Sequence, residues 1–305
     1  MMNDLVSPNR SSFITGRNTH DNIFIVQEFV HGFRHMKSRK GGMMIKIDLE
    51  KASKPQVLWN GVPLQEFSME CGLRQGDPLF PYLFVLCMER LAYCIEEAVA
   101  NKLWDPIPAC KRGPFFSHMF FADDLILLVR ATRKNTITIK VVMQKFCDAS
   151  GLVINKNKSK MSFAQCTRRW DRRCISMEMG IACTDNLGRY LGVPIVHGRS
   201  TPRVYRELLD KVQARQTTWK AKLLNMAGRT TLVKYVMAAL PVHTMQSAWL
   251  PQGTCNHLDY LSRAFLWATT ANPRKMHLVK WKRVVKEDNG GLGIRTTRDK
   301  RCSSC

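Results

Sequence analysis

Two adjacent aspartates lie inside an otherwise apolar run, residues 120–129, and no other feature constrains the chain as strongly. An apolar run of this length is expected to be buried, whereas carboxylates are expected in water. Two β-prone halves that meet at a polar turn predict a hairpin with Asp123 and Asp124 at its tip. Two such charges about 4 Å apart repel by roughly 4 kcal/mol at an effective dielectric of about 20, so they must protonate, separate or share a cation.

A second predicted strand supplies a third carboxylate. Along residues 44–49 the side chains alternate, with Ile45, Ile47 and Leu49 on one face and Met44, Lys46 and Asp48 on the other. This alternation predicts a strand with Asp48 near its end. Taken alone, the Asp-Asp pair is most simply a solvated turn, because Asp is a common turn residue. A neighbouring strand that ends in Asp48 favours instead a site shared by a pair of magnesium ions, the arrangement used for in-line phosphoryl displacement.

Four segments, in this order, resemble the palm motifs of reverse transcriptases. They are 46–52 (KIDLEKA), 72–79 (GLRQGDPL), 121–124 (FADD) and 151–155 (GLVIN) with Lys158 and Ser159. The likeness continues through 190–194 (YLGVP), 227–232 (AGRTTL) and 290–294 (GGLGI), and it is strongest to the enzymes of plant non-LTR (LINE-type) retrotransposons. Four ordered motifs are far more specific than any one of them.

The resemblance implies an RNA-directed DNA polymerase, a nucleotidyltransferase that uses an RNA template, a DNA primer or hybrid, and dNTPs. Its catalytic residues would be Asp48, Asp123, Asp124 and Lys158, and the three aspartates would hold two Mg²⁺ ions, with Mn²⁺ as an alternative. A lysine at the position of Lys158 can donate a proton to departing pyrophosphate or hold phosphate charge. A solvated basic turn explains Lys158 equally well.

The residues that the resemblance assigns to template and nucleotide binding are Arg74, Gln75, Gly76 and Phe121. In the family, glycine at the position of Gly76 lets the backbone approach the template and the nascent base pair. Phe80 replaces the usual small Ser of the family. An ordinary loop before a core helix would explain the helix that follows but not the run 74–77, so the motif favours function.

The chain departs from the family pattern after Ala52. Ser53 stands where the family has an aromatic residue that packs under the nucleotide sugar and rejects a 2′-hydroxyl. Only 23 residues separate Asp48 from Gly72, and they must hold a strand end and a hairpin around 59–61, which leaves no room for the expected helix. We also expect the upstream fingers strands of the family to be missing. We therefore expect an internal deletion or a skipped exon and a defective polymerase; the alternative is a non-catalytic basic nucleic-acid-binding remnant, a pseudogene product.

The expected fold is α+β, a right-hand polymerase palm with an antiparallel sheet and packed helices, incomplete fingers and a helical thumb-like C-terminal region. The expected domains are a palm with a remnant of the fingers over 1–165, a helical thumb or connection over 166–250 and an incomplete basic extension over 251–305. A length of 305 residues and 45% apolar content support such cores. Helices are predicted around 23–33 and 83–95 and over 137–149, 204–224, 232–240 and 258–267, with a strand over 152–154.

The charge of the chain favours a polyanionic partner. Lys and Arg number 47 against 24 acidic residues, a net charge of +23, and nucleic acid is the leading candidate. A membrane surface is the rival, but no apolar run of spanning length and no signal peptide is found. We expect a soluble, intracellular chain; nucleus or cytoplasm, and the oligomeric state, stay open. The basic residues along 211–234, interleaved with Trp219, can track a phosphate backbone or form an ordinary solvated helix face.

Eleven cysteines show neither the paired spacing of a disulfide framework nor that of a zinc site, so reduced residues are expected. Cys302 and Cys305 form a C-x-x-C at the end of the chain. Without a second pair or a nearby His, this pair favours a frayed terminus over a zinc site.

Overall fold

The structure, a computed structural model, describes residues 18–36, 41–51, 58–59, 62–63, 80–110, 113–196, 200–217, 223–267, 281–285, 291–294 and 296–297. The chain divides into two units, Met1–Gly188 and Arg189–Cys305. In the described part of the first unit the helices are α1 (Thr19–His35), α2 (Phe80–Ala100), α3 (Arg133–Ser150) and α4 (Arg169–Met179). Its strands are β1 (Gly42–Lys51), β2 (Leu58–Trp59), β3 (Val62–Pro63), β4 (Ile107–Pro108), β5 (Phe115–Phe116), β6 (His118–Phe121), β7 (Asp124–Arg130), β8 (Leu152–Ile154), β9 (Lys160–Phe163) and β10 (Ala182–Cys183).

A mostly antiparallel sheet forms the centre of the first unit, in the order β10-β9-β1-β7-β6, with β8 also paired to β1. Strand β1 has the most partners: β7 runs along its residues 42–48, β9 along 43–46 and β8 along 49–51. Only the pair of β10 and β9 is parallel. The expected sheet with helices is confirmed, whereas the fingers and thumb assignments and the three domain limits stay predictions.

Burial of β1 explains why it is central. Ile45, Ile47 and Leu49 are buried, as the alternation predicts, and Met43 and Met44 are buried as well, so both faces of the strand are covered at its start. The principal core joins β1 and β7 to three helices, through residues that include Ile47, Leu127, Met88, Leu91, Ile139, Phe146 and Ile175. Helix α1 is fastened to β6 by the Asn22 side chain, whose Nδ2 donates to the carbonyl oxygen of Phe120 at 3.2 Å.

The described part of the second unit is mainly helical. It contains β11 (Arg189–Tyr190), β12 (Val193–Pro194), a 3₁₀ helix (Pro202–Tyr205), α5 (Arg206–Thr217), α6 (Met226–Thr231), a π-helix (Leu232–Met237), α7 (Val242–Met245), α8 (Gln252–Leu266) and α9 (Trp281–Val285). A separate buried cluster holds these helices together, with Tyr205, Val212, Val233, Met237, Leu258 and Phe265 among its members.

Local predictions succeed best where caps are visible in the sequence. The predicted strand 152–154 and the hairpin around 59–61, whose strands are β2 and β3, are confirmed. The predicted helix 137–149 is confirmed but begins earlier, because Thr132 caps it by accepting from the Asn135 N–H at 3.3 Å. The helix predicted over 232–240 is confirmed in part: residues 232–237 are helical, but they form a π-helix in which the Ala238 N–H reaches back five residues to the Val233 carbonyl.

Other helix limits also shift. The helix predicted over 204–224 begins with the 3₁₀ turn at Pro202, and its described part ends at Thr217. The helix predicted over 258–267 begins six residues earlier, as Gln252–Leu266, directly after Pro251, whose ring cannot continue a helix towards the N-terminus. Among the described residues, no helix has the length and apolar character needed to cross a bilayer.

Candidate active site

The pairing of β1 with β7 places Asp48 directly opposite Asp124. The pairing of β6 with β7 closes at Phe121 and Asp124, so Ala122 and Asp123 form the two-residue turn between them. The predicted hairpin is therefore confirmed, with Asp123 in the turn and Asp124 as the first residue of β7. Ala122 has a φ of 50°, in the left-handed region that residues other than glycine seldom adopt. This backbone conformation lies next to the three carboxylates.

Two lysines face these carboxylates. The Nζ of Lys46 lies 3.3 Å from Oδ1 of Asp124, and the Nζ of Lys158 lies 3.9 Å from Oδ2 of Asp48. Lys46 and Asp124 are both partly buried, whereas the side chain of Lys158 is 68% exposed. Solvent screening therefore weakens the contact of Lys158 more than that of Lys46.

The pKa of Asp124 is raised above its ordinary value. Burial is the largest cause, because it disfavours the charged carboxylate. The charge and the hydrogen bond of Lys46 oppose this shift, and the negative charges of Asp123 and Asp48 add to it. Asp124 is thus near enough to Asp48 and Asp123 to be repelled by both.

A turn after β8 supports Asp48 and orients Lys158. The backbone N–H of Asp48 donates to the Ser159 hydroxyl at 3.1 Å, and its carbonyl accepts from the Asn155 N–H at 3.0 Å. The Oδ1 of Asn155 accepts from the N–H groups of Asn157 and Lys158, each at 3.1 Å. Lys158 therefore lies beside Asp48 because an Asn-centred turn places it there.

Sequence reasoning did not identify Lys46, Asn155 or Ser159 as parts of the site. Lys46 could have been found, because it is two residues before Asp48 and shares its face of the strand. Asn155 and Ser159 act through hydrogen bonds to the backbone of Asp48, which lies more than 100 residues earlier in the chain. No local sequence pattern indicates such bonds.

The remaining predicted residues are not all placed. Phe121 is partly buried at the end of β6, paired with Asp124. Arg74, Gln75 and Gly76 lie outside the described residues, and so does Ser53. Their predicted roles in binding template and nucleotide stay predictions.

The fit of the site to magnesium is partial. Three carboxylates offer the hard oxygen ligands that Mg²⁺ prefers. Within the described part of the chain, however, no group of three His, Cys, Asp or Glu side chains is placed to hold one metal ion. Asp48 and Asp124 are instead paired with Lys158 and Lys46. Metal binding would have to displace these two ammonium groups and draw the carboxylates together.

A comparison with protein families identifies a reverse transcriptase segment. Residues 53–195 match the family described as reverse transcriptase (RNA-dependent DNA polymerase). The matched segment contains the β6–β7 hairpin with Asp123 and Asp124, and also Lys158. It begins at Ser53, directly after Ala52, so Asp48 lies just before it.

Three similar proteins come from Arabidopsis thaliana. One is named "Putative ribonuclease H protein" and is 43% identical over 107 residues, which is 35% of this chain and 17% of that protein. Two are uncharacterized mitochondrial proteins. The first is 42% identical over 65 residues, which is 21% of this chain and 53% of that protein. The second is 39% identical over 59 residues, which is 19% of this chain and 38% of that protein. The chain thus spans between 17% and 53% of the length of these three relatives.

Proposed function

We propose that this chain is the palm-bearing part of a LINE-type RNA-directed DNA polymerase of plant retrotransposon origin. The match of residues 53–195 to the reverse transcriptase family and the similarity to three Arabidopsis thaliana proteins support this proposal. The observation that carries the proposal is the register of β1 and β7, which sets Asp48 opposite Asp124 with Asp123 in the adjoining turn. These are the carboxylates that the sequence assigns to nucleotidyl transfer.

In the proposed site, Asp48, Asp123 and Asp124 would hold two Mg²⁺ ions. When bound, such ions neutralise triphosphate charge and favour ionisation of a primer 3′-hydroxyl. The chain itself supplies position. Asp48 is fixed on the central strand, where the Ser159 hydroxyl and the Asn155 N–H hold its backbone. Lys158, held by the same turn, has its ammonium group next to Asp48, where it can bind phosphate charge.

We further propose that the unmodified chain is a weak polymerase. Two sequence features support this: Ser53 stands in place of the sugar-packing aromatic residue, and the short segment after Ala52 leaves no room for the helix that the family has there. The family match begins only at Ser53, which is consistent with a break in the family pattern at this point. Phosphoryl transfer depends on position, and a misplacement of about 1 Å can lower the rate on the order of a hundredfold.

A primer-extension assay on an RNA template tests the proposal. We expect little or no Mg²⁺-dependent cDNA from the unmodified chain. A chimera that carries an aromatic residue at position 53 and the post-Ala52 segment of a full-length relative should extend the primer, and Asp123→Asn should abolish that extension. Robust synthesis by the unmodified chain, abolished by Asp123→Asn, would contradict the proposed defect. A silent chimera would contradict the polymerase proposal for these carboxylates.

The second candidate is a non-catalytic nucleic-acid-binding remnant. It is favoured by the pairing of Lys46 with Asp124 and of Lys158 with Asp48, since ammonium groups lie where metal ions would be needed. Titration with Mn²⁺, followed by electron paramagnetic resonance, separates the two candidates. Binding that Asp48→Asn and Asp123→Asn both weaken supports a metal site, whereas a titration that neither substitution changes supports the remnant.

A further inference from the structure

The outer face of helix α4 (Arg169–Met179) exposes two large apolar side chains. Trp170 is 74% exposed and Met177 is 83% exposed. They are seven residues apart, two helical turns, and so lie on the same side of the helix. The opposite side is anchored, because Ile175 and Met179 are buried in the principal core. Trp170 and Met177 are therefore displayed by a fixed helix.

Arginines surround these two side chains. Arg168, Arg169 and Arg173 are exposed and form no ion pair with any described residue. Arg169 and Arg173 are four apart and hence neighbours on the helix surface. Arg172 has a different role: its guanidinium donates to the carbonyl oxygens of Ala164 at 2.8 Å and of Thr167 and Gln165 at 3.1 Å each, which fixes the start of the helix.

The surface around α4 is concave on two sides. An open hollow of about 990 Å³ is lined by residues that include Arg168, Trp170 and Met177, and also by Asp171 and by the ion pair of Arg133 with Glu178. A second, of about 480 Å³, is lined by residues that include Arg169, Arg173, Met177 and Cys183. Met177 lines both hollows, whereas Trp170 lines only the first. An exposed Trp with arginines next to it in the sequence and one turn along the helix can receive a flat ring on its face and anionic groups at its side.

This surface is separate from the candidate active site. Its first hollow is bordered by Ala131, Thr132 and Arg133, which follow the last residue of β7, whereas Asp124 is the first residue of that strand. Strands rise about 3.3 Å per residue, so the two ends of β7 are roughly 20 Å apart.

We propose that the outer face of α4 is a second contact surface for single-stranded nucleic acid, on which Trp170 stacks with a base while Arg169 and Arg173 bind neighbouring phosphates. Charge complementarity selects this partner: the arginines lack acidic partners among the described residues, and the whole chain carries +23. Stacking on Trp accepts any base, so the contact tolerates any sequence. The proposal does not depend on polymerase activity and holds equally for a non-catalytic chain.

Fluorescence anisotropy of a labelled oligothymidylate, titrated with the full chain, tests the proposal. The test variant is Trp170→Ala/Arg173→Gln. Its matched control is Tyr93→Ala/Arg90→Gln on α2, which also removes one exposed aromatic residue (Tyr93 is 59% exposed) and one exposed arginine. We expect the affinity of the α4 variant for the oligonucleotide to be at least about tenfold lower than that of the unmodified chain. The affinity of the control variant should fall by a much smaller factor. The slope of log affinity against log salt should fall by about 0.7 in the α4 variant for the lost phosphate contact.

Two further variants separate stacking from loss of structure. Trp170→Phe keeps an aromatic face and should retain most of the affinity, whereas Arg169→Gln/Arg173→Gln should weaken binding without changing the circular dichroism spectrum. Equal losses in the α4 variant and its control would overturn the proposal, since only net charge would then matter. It would also be overturned if the α4 variants bound oligothymidylate normally but changed the molecular mass measured by light scattering, because the face would then bind a second copy of the chain.

Discussion

At the scale of single residues, His118 has the most strongly shifted titration. Its side chain is 0% exposed on β6, Nδ1 lies 2.9 Å from the Ser117 hydroxyl, and Nε2 has no hydrogen-bond partner among the described residues. Burial lowers the pKa of His118 to about 4 from 6.5. The native protein therefore keeps this imidazole neutral at a pH where the unfolded chain binds a proton.

The free energy of unfolding is predicted to fall as the pH drops from 6.5 towards 4. In this pH range the unfolded state binds a proton on His118 and the native state does not. The contribution of His118 to stability is therefore fully present above the pKa of the unfolded state and is lost as the pH falls below it. The loss should approach about 3 kcal/mol near pH 4. Urea denaturation across this range measures it, with His118→Leu as the comparison. An equally steep decline in His118→Leu would assign the pH dependence to other groups.

The ion pair of Lys46 with Asp124 leads to a second prediction. Removing Lys46 leaves a partly buried carboxylate beside two others, so Lys46→Met should lower the free energy of unfolding by about 1 to 2 kcal/mol at neutral pH. In a double-mutant cycle with Asp124→Asn, the second substitution should recover part of this loss. Strict additivity of the two substitutions would show that the pair is not coupled.

The three aspartates show which features of the site can be predicted from the sequence and which cannot. Period-two alternation was sufficient to predict β1 and the position of Asp48, and the Asp-Asp turn was sufficient to predict the hairpin. The register that sets Asp48 opposite Asp124 is a long-range property of the sheet. Neither the alternation nor the turn contains that information.

At the scale of elements, the cap of α3 decides where that helix begins. Thr132 Oγ1 accepts from the Asn135 N–H at 3.3 Å, and the Thr132 carbonyl accepts from the Thr136 hydroxyl at 3.0 Å. Thr132→Ala should lower the free energy of unfolding by about 1 kcal/mol, whereas Thr132→Ser should retain most of it. Chemical denaturation measures both. If Thr132→Ser and Thr132→Ala lowered the free energy of unfolding equally, the Thr132 hydroxyl would not act as a helix cap.

Elements whose ends depend on local chemistry were the easier ones to predict. Gly151 closes α3 with φ of 68°, and its N–H donates to the Cys147 carbonyl, the arrangement that glycine favours at a helix end. The π-helix over 232–237 could not be predicted. In so short a segment the spacing of apolar residues does not distinguish hydrogen bonds between residues five apart from those between residues four apart.

At the scale of the whole molecule, charge matters more than any single contact. The excess of 47 basic over 24 acidic residues acts on phosphates, and phosphates carry no sequence information. We therefore predict that the chain binds single-stranded RNA, single-stranded DNA and RNA–DNA hybrids with little preference for sequence. Filter binding with several unrelated sequences of equal length measures this preference.

The same charge predicts a steep response to salt. Each neutralised phosphate of a single strand releases counterions and contributes about −0.7 to the slope of log affinity against log salt, so a chain that holds six to ten phosphates should lose several orders of magnitude in affinity between about 50 and 200 mM salt. The slope should be the same for every sequence, because it counts phosphates only. A flat salt dependence would contradict electrostatic binding even if the affinity were high. A slope that varied with sequence at constant length would mean that the chain reads bases, which neither its net charge nor an exposed stacking residue such as Trp170 can do.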